Sequence, residues 1–253
     1  MYFNDVNIGF YIVFIILGLL VGEFVNWANK RLSENKAIFT KGSFKEYKKQ
    51  FSPNYILMIL TAIIYIALLY KFGIGDNFVS NLDLIKYVIL TPMLLCTFII
   101  DYKLQIIPNR LVLTMFEIGL IFTFLYGLSN IAISINMLLG MVVGGGIFLG
   151  ITLLGGLAYG KEAMGLGDVK FMGALGLYFG WTNIIIISIV SFLIAAILSI
   201  IFLITKIKKV DEYMAFGPFI VLATILTIFV PYDVITNILL NIFTLGLYSK
   251  NMS

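Results

Sequence analysis

The sequence contains no histidine and a single cysteine, Cys96. Without histidine there is no Ser-His-Asp triad, no Cys-His dyad and no His-ligated metal. A lone cysteine closes no internal disulfide and builds no multi-cysteine zinc site, so no metal is expected. Cys96 lies in an apolar run and reads as small, buried core filler. Charge is also scarce, at 12% of residues, about half the share usual in a soluble domain. Chemistry in this chain must fall to carboxylates, lysines, hydroxyls or backbone. No nucleic-acid partner is expected.

What the sequence does have is apolar length. It is 61% hydrophobic, with a mean hydropathy of +1.05, and the apolar residues come in runs rather than one-sided stripes. A helix spanning a bilayer needs roughly 20 such residues. Runs at 8–28, 55–70, 84–102, 111–128, 135–158, 171–181, 184–205 and 216–230 predict spans, the piece at 171–181 being short and glycine-rich. A further run at 234–248 suits either a ninth span or a surface helix. The expected architecture is all-α: a polytopic transmembrane helical bundle of about eight spans, forming one integral membrane domain over 1–253 in contact with lipid.

Orientation follows from the basic residues. With the N-terminus outside, the inside loops hold Lys30, Arg31, Lys36, Lys41, Lys45, Lys48, Lys49, Lys103, Arg110, Lys161, Lys170, Lys206, Lys208 and Lys209, fourteen of seventeen. Lys71, Lys86 and Lys250 are left over. This is the bias that positive-inside insertion produces. The first run has Asp5 before it and Lys30 and Arg31 after it, the reverse of a cleavable signal, so it is read as a retained span. The basic stretch 30–54 is the one sizeable polar segment, suited to anionic headgroups or to docking a substrate.

Acids inside apolar runs are costly and need a reason. Four stand within or at the edge of such runs: Glu23, Asp101, Glu117 and Asp168. Asp101 closes the run before Lys103 and lies seven residues before Pro108, which is expected to start the next helix. Asp168 ends Gly165-Leu166-Gly167-Asp168 and precedes Lys170. Both acids reach the same, inner side. Two carboxylates close together do not both ionise readily, so one keeps its proton. Such a pair hydrolyses a peptide without histidine, serine or metal: one member draws a proton from water while the other hydrogen-bonds to the scissile carbonyl. The pair titrates as a unit, which leaves the two roles unassigned.

Glycines 165 and 167 are expected to open backbone dihedrals closed to other residues and to let an extended substrate strand come near. Gly140, Gly144, Gly145, Gly146, Gly150, Gly155 and Gly156 include several spaced four apart, which predicts a face for close helix contact. Lys170 suits orienting Asp168, meeting an acidic substrate residue or snorkelling to the surface. Glu117, deeper in its helix, is expected to be a protonated or asparagine-paired structural acid.

These pieces resemble the type IV prepilin leader peptidases, GxGD-type membrane aspartyl proteases. The GxGDxK run at 165–170 and an aspartate seven residues before the proline of Ile107-Pro108-Asn109 look like that family's two catalytic motifs. Gly22-Glu23-Phe24-Val25-Asn26, followed by Arg31-Leu32, is similar to its GSFxN…RL. Phe216-Gly217-Pro218-Phe219 resembles its FGPF. The resemblance implies that Asp101 and Asp168 are catalytic, with Gly165, Gly167 and Lys170 as the active-site loop. It implies cleavage of prepilin or pseudopilin precursors after a glycine, at the cytoplasmic face of the bacterial inner membrane, serving pili or protein secretion. Proteolysis would need no cofactor; N-methylation of the new N-terminus, which many members perform, would use S-adenosylmethionine. Two departures stand out. The loop at 30–54 lacks the paired CxxC motifs of many members, and Glu23 replaces a small serine. Glu23 suits substrate binding, through the basic leader or the freed amine, or a structural hydrogen bond to a neighbouring helix. A presenilin-like intramembrane protease and a proton-coupled transporter are the competing readings.

Overall fold

The computed structural model describes residues 2–4, 6–34, 36–38, 40, 42, 47, 52–159, 164–205 and 215–244. Eleven of the 25 residues of the basic stretch 30–54 lie outside them, Lys41, Lys45, Lys48 and Lys49 included, as do Lys161, Lys206, Lys208, Lys209 and Lys250. A two-residue hairpin of β1 (Tyr2–Phe3) and β2 (Val6–Asn7) leads into α1 (Ile8–Ser33). Asn7 caps α1, its side chain accepting from the Gly9 N–H, and Lys30 and Arg31 occupy the last turn, where the helix dipole favours cations. Asn54 likewise caps α2 (Tyr55–Phe72) by accepting from the Leu57 N–H.

The rest is helical too: α3 (Phe78–Leu104), α4 (Asn109–Ser129), α5 (Ile131–Tyr159), α6 (Leu166–Ile204), α7 (Gly217–Phe229) and α8 (Tyr232–Phe243). Six of these eight helices are long and apolar enough to cross a membrane. The predicted pieces 171–181 and 184–205 are two helices, taken together as α6 and parted at Gly180, and 216–230 is a helix of 13 residues, about 20 Å long. The run at 234–248 gives α8, whose 12 residues reach about 18 Å, short of a roughly 30 Å hydrocarbon core; residues 245–248 lie outside the described part.

Gly180 explains the split in α6. Its φ of 74° is a left-handed value that a side chain disfavours. A Cβ there would lie 2.6 Å from Asn136 Oδ1. That same oxygen accepts the Trp181 N–H at 3.0 Å, restoring a partner to the second limb. The break is therefore held from α5.

Glycine sets the helix spacing as well. A Cβ on Gly176 would stand 2.1 Å from Gly140 O, and one on Gly144 2.6 Å from Met172 O, so α5 and α6 touch backbone to backbone. Gly22 does the same for α1 and α2, 2.5 Å from Met58 Cα. Gly146, Gly150 and Gly156 instead face open space, so only part of the predicted glycine face is a contact. Cys96 is buried in the core, as expected.

Contacts between helix ends show which ends lie together. Lys71, ending α2, donates to Ile228 O near the end of α7, and Asn4 Nδ2 donates to Tyr70 O at 2.7 Å. At this end Lys86 is buried within α3, 2.7 Å from Asp83 Oδ1, which also accepts the Tyr126 hydroxyl from α4 at 2.7 Å. The opposite end gathers the close of α3 and the starts of α4, α6 and α7.

Candidate active site

Asp101 lies in the last turn of α3 and Asp168 in the first turn of α6. The helix thus starts before Asp168 rather than after it, and an acid in a first turn is favoured by the dipole. Both are buried, at 4% and 5% exposure, and both border Ile107, Asp101 through Gly217 and Asp168 through its neighbour Gly167. Residues 67 positions apart in sequence have been brought to one place.

Ile107, in the loop between α3 and α4, links their surroundings. A Cβ on Gly167 would lie 3.3 Å from Ile107 Cβ, and one on Gly217 3.3 Å from Ile107 Cδ1. Gly167 is needed for this close approach and not for an unusual dihedral. Neither it nor Gly165 has positive φ, contrary to expectation; the loop turns with ordinary dihedrals, the Asp168 N–H donating to Gly165 O at 3.1 Å.

The carboxyl groups have different partners. Asp101 Oδ2 accepts the Gly217 N–H, from the start of α7, at 2.9 Å. Asp168 Oδ1 is buried with no hydrogen-bond partner among the described residues. Lys170 does not orient Asp168: its exposed Nζ donates to Asn109 Oδ1 at 3.1 Å. That bond gives the asparagine after Pro108 a role, tying α4 to α6. Pro108 itself caps α4 and the helix begins at Asn109, one residue later than expected. Beside Lys170 and Asn109, a mostly apolar cleft of about 510 Å³ runs between α4, α5 and α6, walled by Val112, Phe116, Met141 and Gly173.

The other predicted acids stand elsewhere. Glu23, buried on α1, accepts from Asn26 Nδ2 and from the Asn54 N–H, both at 3.4 Å, a structural link to the cap of α2. It also touches Tyr47, whose phenol is raised above its ordinary range by burial first and by the Glu23 carboxylate second. Glu23, Trp27, Lys30, Arg31 and Tyr47 line a polar hollow there. Glu117 is exposed on α4, with no asparagine partner among the described residues. That face also presents Leu113, Leu120 and Ile121.

Sequence reasoning missed the Gly217 amide as a partner of Asp101. The signal was Gly217-Pro218: a proline, lacking N–H, in the first turn leaves the glycine amide in front of it as a donor aimed off the helix end.

The fold and site define a polytopic helical membrane protein with a buried aspartate pair at one end of the bundle. Residues 88–200, which hold both aspartates, match the model of the type IV leader peptidase family. The chain is similar to proteins named prepilin leader peptidase/N-methyltransferase. That of Aeromonas hydrophila is 27% identical over 188 residues, 74% of this chain and 61% of the relative. That of Xanthomonas campestris pv. campestris is 29% identical over 196 residues, 75% and 65%. That of Pseudomonas aeruginosa is 34% identical over 135 residues, 53% and 46%. The chain thus spans under two thirds of the length of these relatives. No solved structure matches it.

Proposed function

We propose that this protein is a membrane aspartyl endopeptidase that removes the leader of prepilin-like or pseudopilin precursors after a glycine, with Asp101 and Asp168 as its catalytic pair. The observation that carries the reading is the gathering of these two buried carboxyls around Ile107 inside the segment that matches a leader peptidase family. One carboxylate draws a proton from water, which attacks the scissile carbonyl; the other, protonated, stabilises the oxygen as charge develops. The whole chain acts as one peptidase domain. Gly165, Gly167 and Lys170 frame the approach of the substrate backbone, and the apolar cleft beside Lys170 suits the hydrophobic segment that follows a leader. The distribution of basic residues supports an orientation with this end of the bundle on the cytoplasmic side of a bacterial inner membrane and the N-terminus outside.

N-methylation is a second reading, favoured by the hollow at the end of α1. S-adenosylmethionine would supply a methyl group to the freed amine. The donor set there fits its amino-acid end: Lys30 and Arg31 are cations for its carboxylate, Glu23 is an anion for its ammonium, and the Trp27 ring is a surface for its base. Glu23 in this role serves substrate binding at a distance from the aspartates.

The test is product mass. Purified protein is incubated with a precursor carrying a basic leader, a glycine and an apolar segment, with and without labelled methyl donor. A single cut after the glycine supports the reading. A cut within the apolar segment favours the presenilin-like alternative, and absence of any cut overturns the peptidase. Proton-driven flux in vesicles, with no cleavage, would favour the transporter.

A further inference from the structure

The two aspartates stand in different company, and that difference bears on which one holds the shared proton. Asp101 Oδ2 receives an N–H from the first residue of α7 at 2.9 Å. A helix N-terminus carries partial positive charge, and a hydrogen bond donated to a carboxylate favours its ionised form. Pro218 has no N–H and sits in the same first turn, so the Gly217 amide is the donor left facing Asp101. A side chain at 217 would break the arrangement, because its Cβ would fall 2.5 Å from Asp101 Oδ2.

Asp168 also stands in the first turn of a helix, with the Gly165 backbone nearby, but its second oxygen is left without a donor. Its Oδ1 is buried and without a partner among the described residues, and the neighbouring ammonium of Lys170 is given to Asn109. Burying an unpaired negative oxygen costs far more than burying a neutral acid. Two neighbouring carboxyls with one proton between them will place it on the one with a fully buried oxygen left unpaired.

We infer that Gly217, through its amide, is a positioning residue that holds Asp101 as the ionised member of the pair, and that Asp168 carries the proton. This rests on the peptidase reading of the same two residues and assigns the roles that the sequence leaves open. Asp101 then takes a proton from water while the water oxygen bonds to the scissile carbon. The Asp168 proton passes to the carbonyl oxygen, giving a neutral gem-diol. On collapse the C–N bond breaks, the proton on Asp101 goes to the leaving nitrogen, and a diol proton returns to Asp168. Both carboxyls end as they began.

Infrared spectra of purified D101N and D168N, each taken against the D101N/D168N double variant so that the other acids cancel, read the two protonation states separately. D101N should show the C=O stretch of a carboxylic acid, from Asp168, and D168N only carboxylate bands, from Asp101. The reverse pattern, or the same state in both variants, overturns the assignment. Gly217→Ala tests the positioning: kcat for precursor cleavage should fall roughly a hundredfold with KM within about twofold, and adding it to D168N should bring up an acid band from Asp101. An unchanged kcat in a folded G217A protein overturns the role of the amide. Should the wild type cleave no precursor, the peptidase reading fails, while the spectra still report where the proton sits.

Discussion

Helix α3 carries an aspartate toward each end. Asp83, near the start, is half exposed, pairs with the buried Lys86 at 2.7 Å and accepts the Tyr126 hydroxyl. Asp101, in the last turn, meets Asp168 and a backbone amide, with no cation among its described hydrogen-bond or ion-pair partners. The first constellation balances its charges and ties α3 to α4; the second leaves two acids to share what one N–H does not satisfy. One residue type on one helix thus serves as a clamp where a cation is supplied and, in the function proposed, as a reactive group where it is withheld.

The comparison breaks most visibly if the wrong aspartate matters. Asp101→Ala or Asp168→Ala should lower cleavage by roughly 10³- to 10⁴-fold, the scale of lost acid–base catalysis, measured as initial rate on a precursor. Asp83→Ala should instead leave kcat within about twofold, since Asp83 sits at the far end of the bundle, while destabilising the protein by roughly 3 kcal/mol through the stranded Lys86 ammonium; thermal unfolding in detergent reads that loss. A smaller effect separates the two kinds of glycine on the α5–α6 side. Gly176→Ala would push a Cβ to 2.1 Å from Gly140 O and should cost about 2 kcal/mol by overpacking, with a fall in activity because α6 carries Asp168. Gly146→Ala meets nothing within 4 Å and should be neutral, or stabilising by up to about 1 kcal/mol from helix propensity. Least of all, Lys170→Met removes an exposed contact to Asn109 and should change cleavage by less than about tenfold, consistent with the small worth of exposed polar pairs.

The sequence displayed the acids more plainly than the geometry around them. Apolar runs located the helices, because the need to satisfy backbone polar groups in lipid makes length and hydropathy sufficient. Asp101 and Asp168 stood out because a carboxyl at the end of such a run has a cost that demands a use. Hidden from that reading was everything set by contacts across the bundle. The Gly217 amide reaches Asp101 over 116 residues, a distance that no local pattern encodes. The break in α6 showed as the gap between the runs 171–181 and 184–205, but its cause, the Gly180 dihedral held by Asn136, did not. Lys170 lies two residues from Asp168, yet its partner is the asparagine after Pro108, and Lys86, a cation within the run 84–102, had no account until the fold supplied Asp83 and Tyr126. Glycines 165 and 167 suggested unusual dihedrals, where the packing of Ile107 against Gly167 was the operative demand.

The most direct measurement is the single-turnover rate of precursor cleavage for the wild type, D101N, D168N and the double variant. If the two carboxyls work as one unit, each single change should cost at least roughly 10³-fold and the double should fall no further, the signature of residues acting together. A single variant that cuts within about tenfold of wild type, or losses that multiply in the double, would contradict a shared site.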